Sequence, residues 1–216
     1  RLHAPPALAS YVIAPLLAEF RRRHPSIQVD LEVESVREPP IEDFDITVFG
    51  TDGHFDADLV ARKVVESEAI LVASPDYLRR KGVPARPEDL LDHECLRLRT
   101  PHGRTRQWRM WCPENPDQPL EVAIEPVLVA NHTDSLMRAA LDGAGITSIS
   151  VDLVASPLMR GELVRVLAPW ITGRLSMYAA LPSRKFIPQR TRVFLEFLVE
   201  ETRRKAARAL EACNAC

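Results

Sequence analysis

The stretch from Pro126 to Ile146 does most to fix what this chain can become. Pro126-Val127-Leu128-Val129-Ala130 is an apolar, strand-like run, and Asn131, His132 and Thr133 are polar residues at its exit. Thr133 is placed to cap a helix whose first turn carries Asp134. Leu136, Met137, Ala140 and Leu141 share one face at helical spacing. Gly143 suits a left-handed stop, and Ile146 opens a second strand-like run. A strand that feeds a helix N-terminus turns backbone N–H groups outward, which is the usual place for a small anion. The same unit also serves as plain packing, and a short motif does not separate the two.

The rest of the chain repeats this alternation. A helix is expected through Arg23, with Val12, Ile13, Leu16, Leu17 and Phe20 as its buried stripe. Ile27 to Glu34 alternates apolar and charged residues and reads as a half-buried strand. Asp45–Gly50 reads as a buried strand leading into a loop at Thr51–His54. Leu59–Ser74 is strand-like, and Ser74-Pro75-Asp76 gives a cap, an N1 proline and an acidic first turn for a short helix ending at Gly82. Pro87–Leu91 opens another short helix, and Cys95–Arg99, Trp108–Trp111, Glu121–Ile124, Leu163–Leu167 and Leu175–Leu181 read as strands. A last helix begins after Pro188 and buries Val193, Phe194, Phe197 and Leu198. Strands alternating with helices predict mainly parallel sheets with helices on both faces.

With 216 residues, 46% hydrophobic and 27% charged, the chain can bury one large core or two small ones. Its formal net charge of -2 gives no global electrostatic case for nucleic acid or membrane binding. No apolar run is long enough to span a bilayer. Arg1–Pro6 lacks the apolar core of a signal peptide, and with no initiator Met the chain is expected to be a fragment or a processed form. Cys95 reads as a buried thiol, Cys112 lies near a turn, and Cys213 with Cys216 reads as a pair of free thiols on a frayed tail. Together they favour a reducing, cytoplasmic setting.

Nothing in the chain argues for catalysis. It has no Gly-rich phosphate loop, no nucleophile elbow and no paired-histidine zinc signature, so no cofactor or metal is expected. His93-Glu94-Cys95 is a cluster on paper, but side chains that alternate along a strand are not expected to converge. His132 beside Asp134 reads as a ligand-contacting or surface histidine before a proton relay. Trp108 and Trp111 read as packing, and the charged tail reads as a solvated helix face.

Several ordered segments carry a resemblance. They are Ala4–Ala9, Ala14–Phe20, Arg23-His24-Pro25, Asp45–Val48, Leu71–Leu78, Asp92–Leu96, Asn131 with Ala139–Ile146, Tyr178–Arg184 and Phe194–Leu198. In this order and spacing, from about residue 2 to residue 199, the chain resembles the effector-binding domain of a LysR-type transcriptional regulator. The resemblance implies an α/β, type 2 periplasmic-binding-protein fold: two α/β subdomains joined by two crossover strands, with a small molecule in the cleft. The first subdomain would hold about 1–71 and 175–216, the second about 72–174, and the crossovers would be Ala69–Ala73 and Leu175–Tyr178. Family members carry an N-terminal winged helix-turn-helix, which is absent from this chain, so DNA would be bound only through that domain. They work as homodimers or homotetramers in the cytoplasm, without a membrane. Pairing would use the exposed part of the helix at Ser10–Arg23, which by itself reads as an ordinary amphipathic helix.

The resemblance also implies the cleft residues. They are Pro6, Ala7 and Leu8 at the opening of the first helix; Phe49, Gly50 and Thr51; Arg99 and Thr100; Asn131, His132 and Thr133; and Ser148 and Ser150 around Ile149. The family often has Ser or Thr near Ala7, Arg near Phe49 and Pro near Ser150. These departures point away from the better-known aromatic and amino-acid effectors, or to a weakened response. A transport-type solute-binding protein shares the fold and is the alternative reading; a small metabolic enzyme on the same fold is a third.

Overall fold

The first strand, β1 (Leu2–Ala4), is fully buried and delivers the chain into a helix that runs from Pro6 to Arg23 in three contiguous pieces. These are α1 (Pro6–Leu8), a π segment (Ala9–Ile13) and α2 (Ala14–Arg23). The π segment has a local cause. The Ala14 N–H reaches back to Ala9 O, one residue farther than in an α-helix, directly before Pro15, which has no N–H to offer. Val12, Ile13, Leu16 and Phe20 are buried along it as the stripe predicts, while Leu17 is only partly so. The helix starts earlier than the sequence suggests, so Pro6, Ala7 and Leu8 are helical rather than part of a loop.

The remaining elements follow in order: β2 (Leu31–Val33), a 3-10 turn (Ile41–Asp43), β3 (Ile46–Thr51), β4 (Val60–Ala73), α3 (Pro75–Lys81), a 3-10 turn (Pro87–Asp92), β5 (Cys95–Leu98), β6 (Gln107–Met110), β7 (Leu120–Ala123), β8 (Pro126–Ala130), α4 (Thr133–Leu141), β9 (Ile146–Ser150), α5 (Val151–Met159), β10 (Val164–Val166), β11 (Gly173–Leu181) and α6 (Gln189–Asn214). The structure, a computed structural model, describes residues 1–34, 38–51, 60–99, 106–115, 117–183 and 187–214, with side chains followed to residue 208. Thr100, the loop beyond Thr51 and the Cys213–Cys216 thiols fall outside what is described.

The chain divides into two compact units, one of Arg1–Ser67 with Leu175–Arg208 and one built on Glu68–Arg174. It passes from one to the other within β4 and again at β11. In the first unit the strand order is β2-β1-β3-β11. β1 is parallel to β2 and β3, and β11 is antiparallel to β3. Phe20 packs edge-on to Phe194 and tilted against Phe197, so the first helix and α6 close one core. In the second unit β5 is parallel to β8 and β9, whereas β9 and β10 pair with β4 antiparallel. Its core gathers Leu71, Leu90, Cys95, Trp108, Met110 and Ile146.

Two expectations need correcting. The sheets are mixed rather than mainly parallel, because alternation in sequence says what each segment is and not which segments become neighbours: β9, far down the chain, lies between β4 and β5. The half-buried strand expected over Ile27–Glu34 is only Leu31–Val33, because β1, its one partner among the described residues, offers three residues to pair with.

Candidate functional site

In parallel sheets small molecules bind outside the carboxyl ends of the strands. In the second unit β5 and β8 end together: Leu98 pairs with Ala130, and the Arg99 N–H donates to Ala130 O at 2.7 Å. This register sets Arg99 beside Asn131, His132 and Thr133, all at one edge. Asn131 and Arg99 are exposed, and His132 and Thr133 are half-buried. Arg97 stands one turn of the pleat earlier on β5, and burial holds its guanidinium below its usual value. Ser148 and Ser150 lie on β9, the other parallel neighbour of β5. Ser150 is buried, and Ser148 Oγ lies 2.5 Å from Thr172 Oγ1.

The helix that leaves this edge differs from its expected form. Its N-cap is His132, not Thr133, which is the first helical residue, and the cap makes no side-chain hydrogen bond. His132 Nδ1 lies 3.4 Å from Ser135 Oγ, and Asp134 is the acid of the first turn. Asp134 therefore already sets a carboxylate against the positive end of the helix, which weakens this end as an anion site. The far end is as expected. Gly143 has φ +81°, the Ala144 N–H reaches Ala139 O at 2.9 Å and the Gly143 N–H reaches Ala140 O at 3.1 Å.

In the first unit Pro6–Leu8 follow β1, and Gly50 and Thr51 end β3, which runs parallel to β1. The two segments therefore share the carboxyl edge of that unit. Pro6 at the first helical position has no N–H, so the first amides at this helix end belong to Ala7 and Leu8. Phe49 is committed elsewhere. It is buried among Ile41 and Ala180 and stacks on Tyr178 with ring centroids 5.8 Å apart, so only its backbone is at the edge. Gly50 is exposed, with nothing within 4 Å of where a Cβ would stand.

Sequence reasoning missed Thr172 and Arg97. Thr172 belongs to no motif, and only the fold brings it to Ser148; Arg97 was visible as a cation inside a strand. The cluster His93-Glu94 also behaves differently from expectation. Both residues precede β5, so strand alternation does not apply to them, and they converge on the Tyr77 hydroxyl, with His93 Nδ1 at 2.9 Å and Glu94 Oε2 at 2.8 Å. The Cys95 thiol does not join them at the hydroxyl: its Sγ lies 3.4 Å from Leu90 O and 3.5 Å from His93 O, and burial, then the Glu94 charge, pushes it up to about 12. A groove of about 430 Å³ elsewhere in the second unit is lined by Ser74, Asp76, Arg79, Arg138 and Glu162. Its arginines are already paired, Arg79 with Asp76 and Arg138 with Asp142, so the groove is a weaker ligand candidate than the strand edge. Among the described residues no group of His, Cys, Asp and Glu could hold a metal ion, and no helix is long and apolar enough to cross a membrane.

Comparison with known proteins bears on the family and the fold. The LysR substrate binding domain family matches residues 1–203. The HTH-type transcriptional regulator PtxR of Pseudomonas aeruginosa is 31% identical over 216 residues, covering 98% of this chain and 67% of its own length. The regulator CrgA of Neisseria meningitidis serogroup B is 32% identical over 194 residues, covering 88% of this chain and 62% of its own. The solved structure of CrgA, described as a LysR-type transcriptional regulator, matches with a TM-score of 0.77 at 30% identity over 93% of this chain and 67% of that one. The chain thus spans roughly two thirds of the length of such relatives, and its fold is the type 2 periplasmic-binding-protein fold of LysR regulatory domains. With the family match running through nearly all of the described residues, the chain belongs to the LysR substrate-binding domain family.

Proposed function

We propose that this chain senses a small-molecule effector and passes the signal to a DNA-binding domain, as part of a cytoplasmic LysR-type transcriptional regulator. The observation that carries the reading is the meeting of Arg99, Asn131, His132 and Thr133 at the shared carboxyl end of β5 and β8, in a chain of this family. Ser148 would add a hydroxyl from β9, and Thr100 and Ser150 complete the expected set on that unit. On the first unit, taken by itself, the expected contact residues are Pro6–Leu8, Gly50 and Thr51, mostly through backbone groups. DNA would be bound by a winged helix-turn-helix outside this chain, and the regulator would act as a homodimer or homotetramer through the exposed part of the helix at Ser10–Arg23. A ligand acts in such a system only through its differential affinity for two arrangements of the protein. The matched relatives are transcriptional regulators, which favours this reading over a transport-type binding protein.

A thermal-shift screen of small acids, amino acids and aromatic compounds tests it. A true effector at about 100 times its dissociation constant adds about 2.7 kcal/mol of stability. The shift should shrink in Arg99→Ala, Asn131→Ala and Thr133→Ala. A hit that persists in all three, and in Thr51→Ala, would place the site elsewhere.

A further inference from the structure

Three residues of the second unit form a directed chain of hydrogen bonds. Thr172 lies in the short segment between Ile171, which is fixed by two backbone bonds to Trp111 at 2.8 and 2.9 Å, and the start of β11 at Gly173. Its N–H donates to Ala69 O at 2.8 Å, and its hydroxyl donates to the same carbonyl at 3.2 Å. A threonine hydroxyl has one hydrogen. With that hydrogen directed at Ala69, the 2.5 Å contact between Ser148 Oγ and Thr172 Oγ1 must be donated by Ser148. The order is therefore Ser148 to Thr172 to Ala69, and hydrogen bonds in such a series strengthen one another.

The direction has a chemical consequence. The Ser148 oxygen keeps its lone pairs and has no hydrogen left to give. An incoming donor meets it without disturbance. An incoming acceptor, such as a carboxylate or carbonyl, has to draw the Ser148 hydrogen away from Thr172. Thr172 stands two residues before Arg174, where the chain leaves this unit, and Arg174 is itself ion-paired to Glu68 at 3.6 Å, beside Ala69 on β4. Both strands that carry the chain between the units are thus tied close to this hydroxyl.

We propose that Thr172 is a positioning residue that couples Ser148 to β4 and β11, so that an acceptor group on the effector is read out as release of Thr172. The functional half of this statement rests on Ser148 touching the effector. The relay itself needs no effector and is tested without one.

The test is the amide exchange rate of the Thr172 N–H, followed by NMR on the chain with no ligand added. Ser148→Ala should raise it about fivefold, the equivalent of one ordinary hydrogen bond. Thr172→Val should raise it at least as much, and Thr172→Ser, which keeps the hydroxyl, should restore the native rate. The double variant S148A/T172V should exchange no faster than T172V, because both changes remove the same bond. A native exchange rate in S148A, or a double variant whose rate is the product of the two single effects, overturns the proposal. If T172V does not fold, S148A and T172S still decide it, since only the first should accelerate exchange. Failure here leaves the sensing reading intact, and an effector screen without hits leaves the relay intact.

Discussion

One phenolic oxygen organises the start of β5. Tyr77 is buried; its hydroxyl donates to Glu94 Oε2 at 2.8 Å and accepts the Glu94 N–H at 2.9 Å, with His93 Nδ1 at 2.9 Å. Burial, then the Glu94 contact, raises the phenol well above its usual range. Glu94 moves the other way. The hydrogen bond from Lys81, followed by that from Tyr77, holds its carboxyl down to about 2, against an ordinary value of 4.5. A lowered folded value means the contribution to stability is complete above pH 4.5 and is lost as the pH falls toward 2. Acid unfolding followed by circular dichroism should therefore show native stability falling through that window, and Glu94→Gln should flatten it. An equally steep fall in E94Q would assign the acid sensitivity to other groups. The sequence displays His93 and Glu94 side by side, but it cannot display Tyr77, whose hydroxyl reaches them only when α3 packs against the entry to β5.

At the scale of elements, α4 separates what local chemistry dictates from what context decides. Its stop was legible, because only a glycine enters the left-handed conformation without cost, and Gly143 does so. Its start was not, because cap preference is weak and the strand exit carries three polar residues in a row. Since Thr133 is the first helical residue and not the cap, Thr133→Ala should change stability by less than about 0.5 kcal/mol, whereas loss of a true cap costs about 1 kcal/mol. Urea unfolding of the ligand-free chain distinguishes the two. Gly145, two residues on, is a harder constraint. A Cβ there would stand 2.2 Å from Glu94 O at φ +153°, where β9 enters the sheet against β5. Gly145→Ala should cost about 3 kcal/mol, from overpacking against rigid backbone and the strained dihedral. Gly50→Ala is the control: nothing lies within 4 Å of its Cβ, so the same unfolding assay should find it within about 0.5 kcal/mol of native.

Across the whole molecule, the first unit depends on parts from both ends of the chain. Glu201 of α6 is 1% exposed and is held by Arg23 at 3.1 Å and by Arg204. Arg23 also lies over the Phe197 ring, 5.4 Å from its centroid. A buried carboxylate needs such partners; Arg204 is three residues on in the same helix, whereas Arg23 lies 178 positions away in the chain. Glu201→Ala should lower stability by about 2 kcal/mol, the worth of hydrogen bonds to a charged group, with Arg23 and Arg204 left free to hydrate. Equilibrium denaturation checks it, and no loss would mean that the aromatic packing of Phe20, Phe194 and Phe197 alone holds the helices together. By itself the sequence determined the kind and order of most elements, because apolar periodicity, prolines and glycines act within a few residues. The resemblance carried by its ordered short segments reached the family. Only the tertiary structure decided which strands are neighbours, that β4 and β11 run antiparallel to theirs, that Phe49 turns into the core and that Thr172 meets Ser148. Those outcomes depend on long-range contacts whose partners are chosen by packing and hydrogen-bond accounting, and no local pattern in the chain encodes them.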